Sequence, residues 1–255
     1  MTSTASLPEH SEGLLLVIAN CEDRLQLVLG EPGRLLASRE LVVPGHTVQF
    51  LIPAVAEMLA EQERPVQDIA RIAITRGPGS FTGIRMALSA AAGIQAGTSA
   101  RLAGLDHLPL VARGPLALTD LPCFVLTYAR KGQVYLQGFE PDGEPMAPLC
   151  QLSETQAATR VRAFAAPCTL VGTGLHKNPD AFVDLPNVTL LGPEWSHPSP
   201  GLLLAAACQA EYGTVDIDPA YGRQADAEEN FEAIAAKRGI GPEEARRLLK
   251  ESRRS

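Results

Sequence analysis

The chain has 255 residues, 45% of them hydrophobic, and 22 Lys and Arg against 29 Asp and Glu give a formal net charge of −7. That length can bury a full core as one large domain or as two lobes, while the acidic balance excludes an independent nucleic-acid binder, whose affinity rests on phosphate neutralisation by Lys and Arg. The five cysteines (Cys21, Cys123, Cys150, Cys168 and Cys208) are odd in number and form no CxxC pair, which suits reduced thiols better than a disulfide frame or a zinc site.

Residues 1–13, MTSTASLPEHSEG, are polar and acidic where a secretory signal would be basic and then apolar. They read as a disordered N-terminus. No apolar run approaches the roughly 20 residues of a membrane span, so the expected location is the cytoplasm. Leu14 to Ile18, Leu25 to Leu29 and Leu35 to Val43 predict three short strands, with GEPG (30–33) turning the second onto the third. A helix follows over 47–61, where Val48, Leu51, Ile52, Val55, Met58 and Leu59 recur at offsets of three and four. Pro53 inside it predicts a kink or a late start, because an interior proline costs about 3 kcal/mol. RIAIT (71–75) is a strand, RGPGSFTGIRMALSAAAGIQAG (76–97) a tight corner followed by a helix, and RLAGL (101–105) another strand.

Three strands, then helix, strand, helix, strand, is the order of a ribonuclease-H-like or actin-like lobe, expected here over 14–112. VARGPLALTDLP (111–122), with two prolines and a glycine, reads as a hinge. CFVLTY (123–128), QVYLQGF (133–139) and TLVG (169–172) predict a weaker copy of the first lobe, expected over 118–225. A helix begins at Ser199 with Pro200 in its first position and Gly213 just past its end. The charged stretch 226–255 reads as a tail, helical in pieces, whose basic end is a solvated face rather than an RNA hook. The fold class is therefore α/β: a two-lobed actin-like ATPase or ribonuclease-H-like fold, with mixed sheets flanked by helices.

The corner carries the most chemistry. Gly77 precedes proline and is pushed towards extended backbone, Pro78 fixes φ, and Gly79 can adopt φ values that other residues avoid. Ser80 or Thr82 can cap the helix whose first turn holds Gly83, Ile84 and Arg85. Backbone N–H groups opening from such a loop form an anion site, and Arg85 opposes the helix dipole unless an anion offsets it. Gly77, Gly79, Ser80, Phe81, Thr82, Gly83 and Arg85, flanked by Arg76, are thus a candidate phosphate or nucleotide loop. A close-packed strand-to-helix turn explains the same spacing equally well. The helix behind is nearly bare (Gly83, Ala87, Ser89, Ala90, Ala91, Ala92, Gly93, Ala96, Gly97), so a second helix can approach its backbone, from the same lobe or from a partner.

The run RGPGSFTGIRMALSAAAGIQAG closely resembles the signature of the TsaB (YeaZ) family of bacterial tRNA threonylcarbamoyladenosine biosynthesis proteins. GHTVQFLIPAVAEML (45–59), ARKGQVYLQGF (129–139) and DPAYGRQADAEENFEAIAAKRG (218–239) match it in the same order. The resemblance implies a two-lobed, inactive relative of the transferase TsaD. It also implies TsaD as the partner met through first-lobe helices, the ATPase TsaE joining, a homodimer formed by a similar contact in isolation, and tRNA reached only through the complex. On this reading the partner interface comprises His46, Leu51, Ile52, Val55, Leu59, Ile84, Leu88, Ala91 and Gln95. No intrinsic cofactor is implied, with ATP or ADP at the partner interface left open.

The residues agree with a non-catalytic role. An ATPase of this fold needs a carboxylate just after its first strand, where LLLVIANCED offers Ala19 and Asn20, and Asp23 comes too late. The five histidines include no HxxxH for an open metal site, and His107 in LDHLPL stands alone. No GxSxG elbow or Walker A loop occurs. No catalytic residue and no metal ligand is assigned. Tyr128 precedes Ala129, Arg130 and Lys131 where the family usually carries an acidic residue. The alternatives are an independent ATP-binding transferase or metallopeptidase-like enzyme of the same fold, or a plain nucleotide-binding module.

Overall fold

The computed structural model describes residues 13–215 and 217–220. Strands β1 (Leu14–Ala19), β2 (Arg24–Glu31) and β3 (Arg34–Val42) form an antiparallel meander, and β4 (Ile69–Gly77) and β5 (Arg101–Asp106) add parallel to β1, giving the order β3-β2-β1-β4-β5. β1 is apolar at every position because both faces of this central strand are covered. Its alternate residues serve two cores, as a period of two requires. Leu14, Leu16 and Ile18 pack with Leu51, Met58, Ala87 and Ala91 of helices α1 (Thr47–Glu61) and α2 (Phe81–Ala96). Leu15, Val17 and Ala19 face Leu203 and Ala207 of a helix from the far end of the described chain. Pro53 lies inside α1, which begins at Thr47, so the late start is not taken.

The second sheet repeats the plan. β6 (Cys123–Arg130), β7 (Gln133–Phe139) and β8 (Cys150–Ser153) are antiparallel, while β9 (Cys168–Val171) and β10 (Val188–Leu190) run parallel to β6, in the order β10-β9-β6-β7-β8. Helix α3 (His107–Leu116) runs into the segment predicted as a hinge, taking up 111–116 of 111–122. Its Leu108, Val111 and Ala112 are buried against Cys123, Val125, Tyr135 and Phe139 of the second sheet, so apolar burial overrides the Pro and Gly signals. α4 (Glu154–Arg162) and α5 (Thr173–Lys177) follow β8 and β9. α6 (Pro200–Gln209), capped by the Ser199 side chain, returns to cover the first sheet with Leu203, Leu204, Ala206 and Ala207.

Each half therefore lends a helix to the other, which closes a two-lobed α/β fold of the actin-like, ribonuclease-H-like class. Gly213 does not end α6; it pairs with Leu102 on the edge of β5, its N–H and carbonyl both bonded. The expected tail at 226–255 and all but Gly13 of the expected disordered N-terminus lie outside the described residues, as do most of the residues at 218–239.

Candidate functional site

The carboxyl ends of both central strands meet at a cleft of ≈ 430 Å³ lined by Cys21, Glu22, Asp23, the corner residues Gly79 to Thr82, and Tyr128, Arg130 and Lys177 from the second sheet. The corner is bound to the end of β1. Gly77 has φ +124 and Gly79 φ +155, values in which L side chains are strained, and the extended backbone expected of Gly77 is replaced by this mirror-image region. A β-carbon on Gly79 would collide with the Cys21 carbonyl, one on Gly83 with the Asn20 carbonyl, and one on Gly77 with the Ala220 carbonyl. Ser80 N–H donates to Cys21 O at 2.6 Å, and Ala220 N–H donates to Arg76 O at 2.7 Å. Ser80 caps α2, its Oγ accepting from Gly83 N–H at 3.1 Å. The glycines are thus explained by close approach of two other backbone segments, one at Asn20 and Cys21 and one at Ala220.

The cations expected to attract an anion are engaged nearby. Arg76 forms a two-point pair with Asp106, at 2.7 and 3.3 Å, and the Arg85 guanidinium lies 4.0 Å over the Phe81 ring. Asn20, in the position where an ATPase of this fold needs a carboxylate, is buried. Its Nδ2 donates to Gly83 O at 2.9 Å and to Thr47 Oγ1 at 3.3 Å, and its N–H donates to Thr75 Oγ1 at 3.2 Å. The amide ties β1 and β4 to the first turns of α1 and α2. A carboxylate has no proton to give Gly83 O.

Two residues further on lies a carboxylate the sequence did not reveal. Glu22 and His107 have side chains only 5% and 4% exposed, with Oε2 and Nε2 3.0 Å apart, and His197 Nδ1 lies 3.9 Å from the same oxygen. Thr173 Oγ1 donates to Glu22 Oε1. Burial holds the His197 imidazole below its ordinary range, partly offset by the Glu22 charge. Burial also pushes the Cys21 thiol up to about 12, leaving it protonated and a poor nucleophile at neutral pH. Among the described residues no group of three or more His, Cys, Asp or Glu could hold a metal ion. His107 is not the isolated residue expected, because chain folding brings Glu22 to it across 85 positions.

The two first-lobe helices present a face outward. On α1, Val48 is 62% and Ile52 50% exposed, with Ala56 and Ala60 continuing the stripe. On the adjoining α2, Ser89, Gly93 and Ala96 are exposed, and a β-carbon on Gly93 would meet nothing within 4 Å. Among the described residues no helix is long and apolar enough to cross a membrane.

The family model described as "TsaD: tRNA N6-adenosine threonylcarbamoyltransferase" matches residues 40–161. The tRNA threonylcarbamoyladenosine biosynthesis protein TsaB of Escherichia coli is 28% identical over 216 residues, covering 81% of this chain and 91% of that protein. TsaB of Buchnera aphidicola is 42% identical over 52 residues, 20% of this chain and 23% of its own. Two solved structures from Pseudomonas aeruginosa share the fold. YeaZ superposes with a TM-score of 0.65 at 23% identity, covering 81% of this chain and 98% of its own. A protein described as similar to peptidase YeaZ gives 0.69 at 24%, covering 83% and 100%. These likenesses support the TsaB (YeaZ) family.

Within this TsaB-like chain the residues expected at a partner interface divide in two. Leu51, Val55, Leu59 and Ala91 are buried in the protein's own first-lobe core, and Ile84 is buried as well, Ile84 and Ala91 completely. Leu88 is half-buried against that core, and Gln95 is half-buried, donating to Ala100 O at 3.2 Å. Only Ile52 and His46 are exposed, and His46 precedes α1 without a side-chain capping bond. The apolar stripe read from α1 is thus two stripes: Leu51, Val55, Met58 and Leu59 face inward, Val48 and Ile52 outward. Likewise the bareness of α2 serves the TsaB-like core at Gly83, Ala87 and Ala91 and the open face at Ser89 and Gly93.

Proposed function

We propose that this chain takes part in forming N6-threonylcarbamoyladenosine on tRNA as a non-catalytic scaffold that binds and activates a TsaD-type transferase. The exposed positions of the adjoining α1 and α2 carry the reading: apolar Val48 and Ile52 on one helix and small Ser89, Gly93 and Ala96 on the other are open to helices of a partner. The names of the E. coli and Buchnera relatives supply the pathway. The buried amide of Asn20 and the engaged cations of the corner favour a structural role over turnover. The working assembly is a heterodimer with the transferase, joined by a TsaE-type ATPase, with a homodimer through the same face in isolation; tRNA is met through the complex, in the cytoplasm. ATP or ADP, where it participates, sits at the partner interface.

A clean deletion tests the reading by mass spectrometry of tRNA nucleosides. Loss of threonylcarbamoyladenosine, restored by the wild-type gene, is expected; normal levels in the deletion defeat it. The cleft, with Ser80, Thr82, Arg130 and Lys177 on its walls, keeps a plain nucleotide-binding reading alive. Calorimetry with ATP and ADP on the isolated chain is expected to show no heat, whereas micromolar binding would favour that second reading.

A further inference from the structure

We propose that Glu22 is an interlobe latch: an internal anion, supplied by the β1–β2 turn, that bridges the two lobes at the floor of the cleft and fixes its opening. Four segments converge on this one carboxylate. They are its own turn, the start of α3 at His107, the start of α5 at Thr173, and the loop before α6 at His197. Two of these carry the chain between halves and one belongs wholly to the second sheet.

The direction of the central hydrogen bond is fixed by its neighbours. Thr173 Oγ1 accepts from the Tyr128 N–H at 3.0 Å, and a hydroxyl has one proton, which is directed to Glu22 Oε1. Glu22 therefore serves as the acceptor at Oε1, and its other oxygen shares a 3.0 Å hydrogen bond with His107 Nε2. The second-lobe partner is as rigidly held as the first-lobe corner. Gly172, preceding Thr173, has φ +123, and a β-carbon there would collide with the Leu126 carbonyl in the middle of β6. The adjacent Asp23 adds a second cross-lobe bond, 3.3 Å to Lys177 at the other end of α5, and Lys177 Nζ lies 4.4 Å over the Tyr128 ring. One turn of the first lobe thus grips a second-lobe helix at both ends.

In two-lobed proteins a ligand in the cleft commonly supplies the bridge between halves and its loss lets them hinge. Here the bridge is covalently part of the chain and nearly excluded from water, where charge-assisted hydrogen bonds are strongest. The latch holds the lobes at one aperture without a bound molecule. This inference stands independently of the proposed partner.

Hydrogen–deuterium exchange on the full chain tests it with Thr173→Val, which keeps shape and removes the hydroxyl that donates to Glu22 and accepts from the Tyr128 N–H, and with Glu22→Gln, which keeps size and removes the charge. Both are expected to raise exchange about tenfold in residues 20–24, 107–112 and 173–177, with α1 and α2 unchanged, and to broaden the small-angle scattering profile towards a more open molecule. Unchanged exchange at those three segments in Thr173→Val overturns the latch, as does a rise spread evenly over the whole chain. If Glu22→Gln does not fold, Thr173→Val alone decides.

Discussion

Gly79 lies so close to Cys21 that the two backbones touch: a β-carbon on Gly79 would collide with the Cys21 carbonyl, and the next residue's N–H donates to that same oxygen at 2.6 Å. The corner is a joint between β1 and α2 before it is anything else. Gly79→Ala must displace the backbone and also force alanine to φ +155. Strain and overpacking together should cost about 3 kcal/mol or more, read as a lower urea midpoint. Gly93→Ala, in open space on α2, should instead stabilise by about 0.5–1 kcal/mol, the helix-propensity difference. Equal effects at the two glycines would contradict the joint.

The same joint makes Asn20 sensitive to a change of one atom. Asn20→Asp removes the donor to Gly83 O and places a charge among buried dipoles. The expected loss is about 2–4 kcal/mol at pH 7. Burial would raise the new carboxyl's pKa in the folded state above the unfolded value, so the folded form holds a proton the unfolded form has lost. The penalty should be complete above the folded pKa and shrink as pH falls through it towards the unfolded value. Denaturant titrations of both proteins at several pH values check this. A parallel pair of stability curves, with no convergence in acid, would exclude a buried amide with a required donor.

The sequence made the first lobe legible because its signals are local: a meander with a GEPG turn, an amphipathic helix, a glycine corner. Ser153 and Gln156 form a capping box at α4, a signal present in the sequence at the spacing S-x-x-Q but not read. β8 and β10, four and three residues long, carry too few positions to show a period. α3 was hidden because Gly114, Pro115 and Pro122 argue for a linker over 111–122, and only burial against the second sheet makes its first part a helix. The Glu22 cluster was illegible for a different reason. Its members are separated by 85 and 151 positions, and nothing local distinguishes Glu22 from the solvated acid beside it.

His197 supplies a pH dependence with a definite sign. Burial holds it below its ordinary value of 6.5; Glu22 and Asp23 pull it up, and Arg24 and His107 push it further down. On acidification the unfolded chain takes up this proton first, so between the two pKa values the unfolded state binds more protons and stability rises with pH. The contribution is fully present above about pH 6.5 and is lost as pH falls through the folded value. Replacing His197 by Asn should flatten this part of the curve between pH 7.5 and 5.5 in urea unfolding. An unchanged slope would show that His197 titrates alike in both states.

The two stripes of α1 and α2 give substitutions on one helix opposite outcomes. Ala91 is fully buried among Leu16, Met58 and Ala87, so Ala91→Arg places an unpaired charge in the core at a cost of several kcal/mol and should yield insoluble protein. Gly93, two residues away, opens to solvent, and Ile52 is half-exposed on the neighbouring helix. Gly93→Arg and Ile52→Glu should leave the thermal midpoint of the isolated chain within a few degrees. If this face receives the transferase, each should weaken co-purification with it by at least thirtyfold, about 2 kcal/mol, the scale of a central interface residue. Threonylcarbamoyladenosine should fall in strains carrying either variant. Retention of full affinity by both variants, with the fold intact, would move the partner surface elsewhere, because a long guanidinium at Gly93 cannot be accommodated where two helices lie in contact.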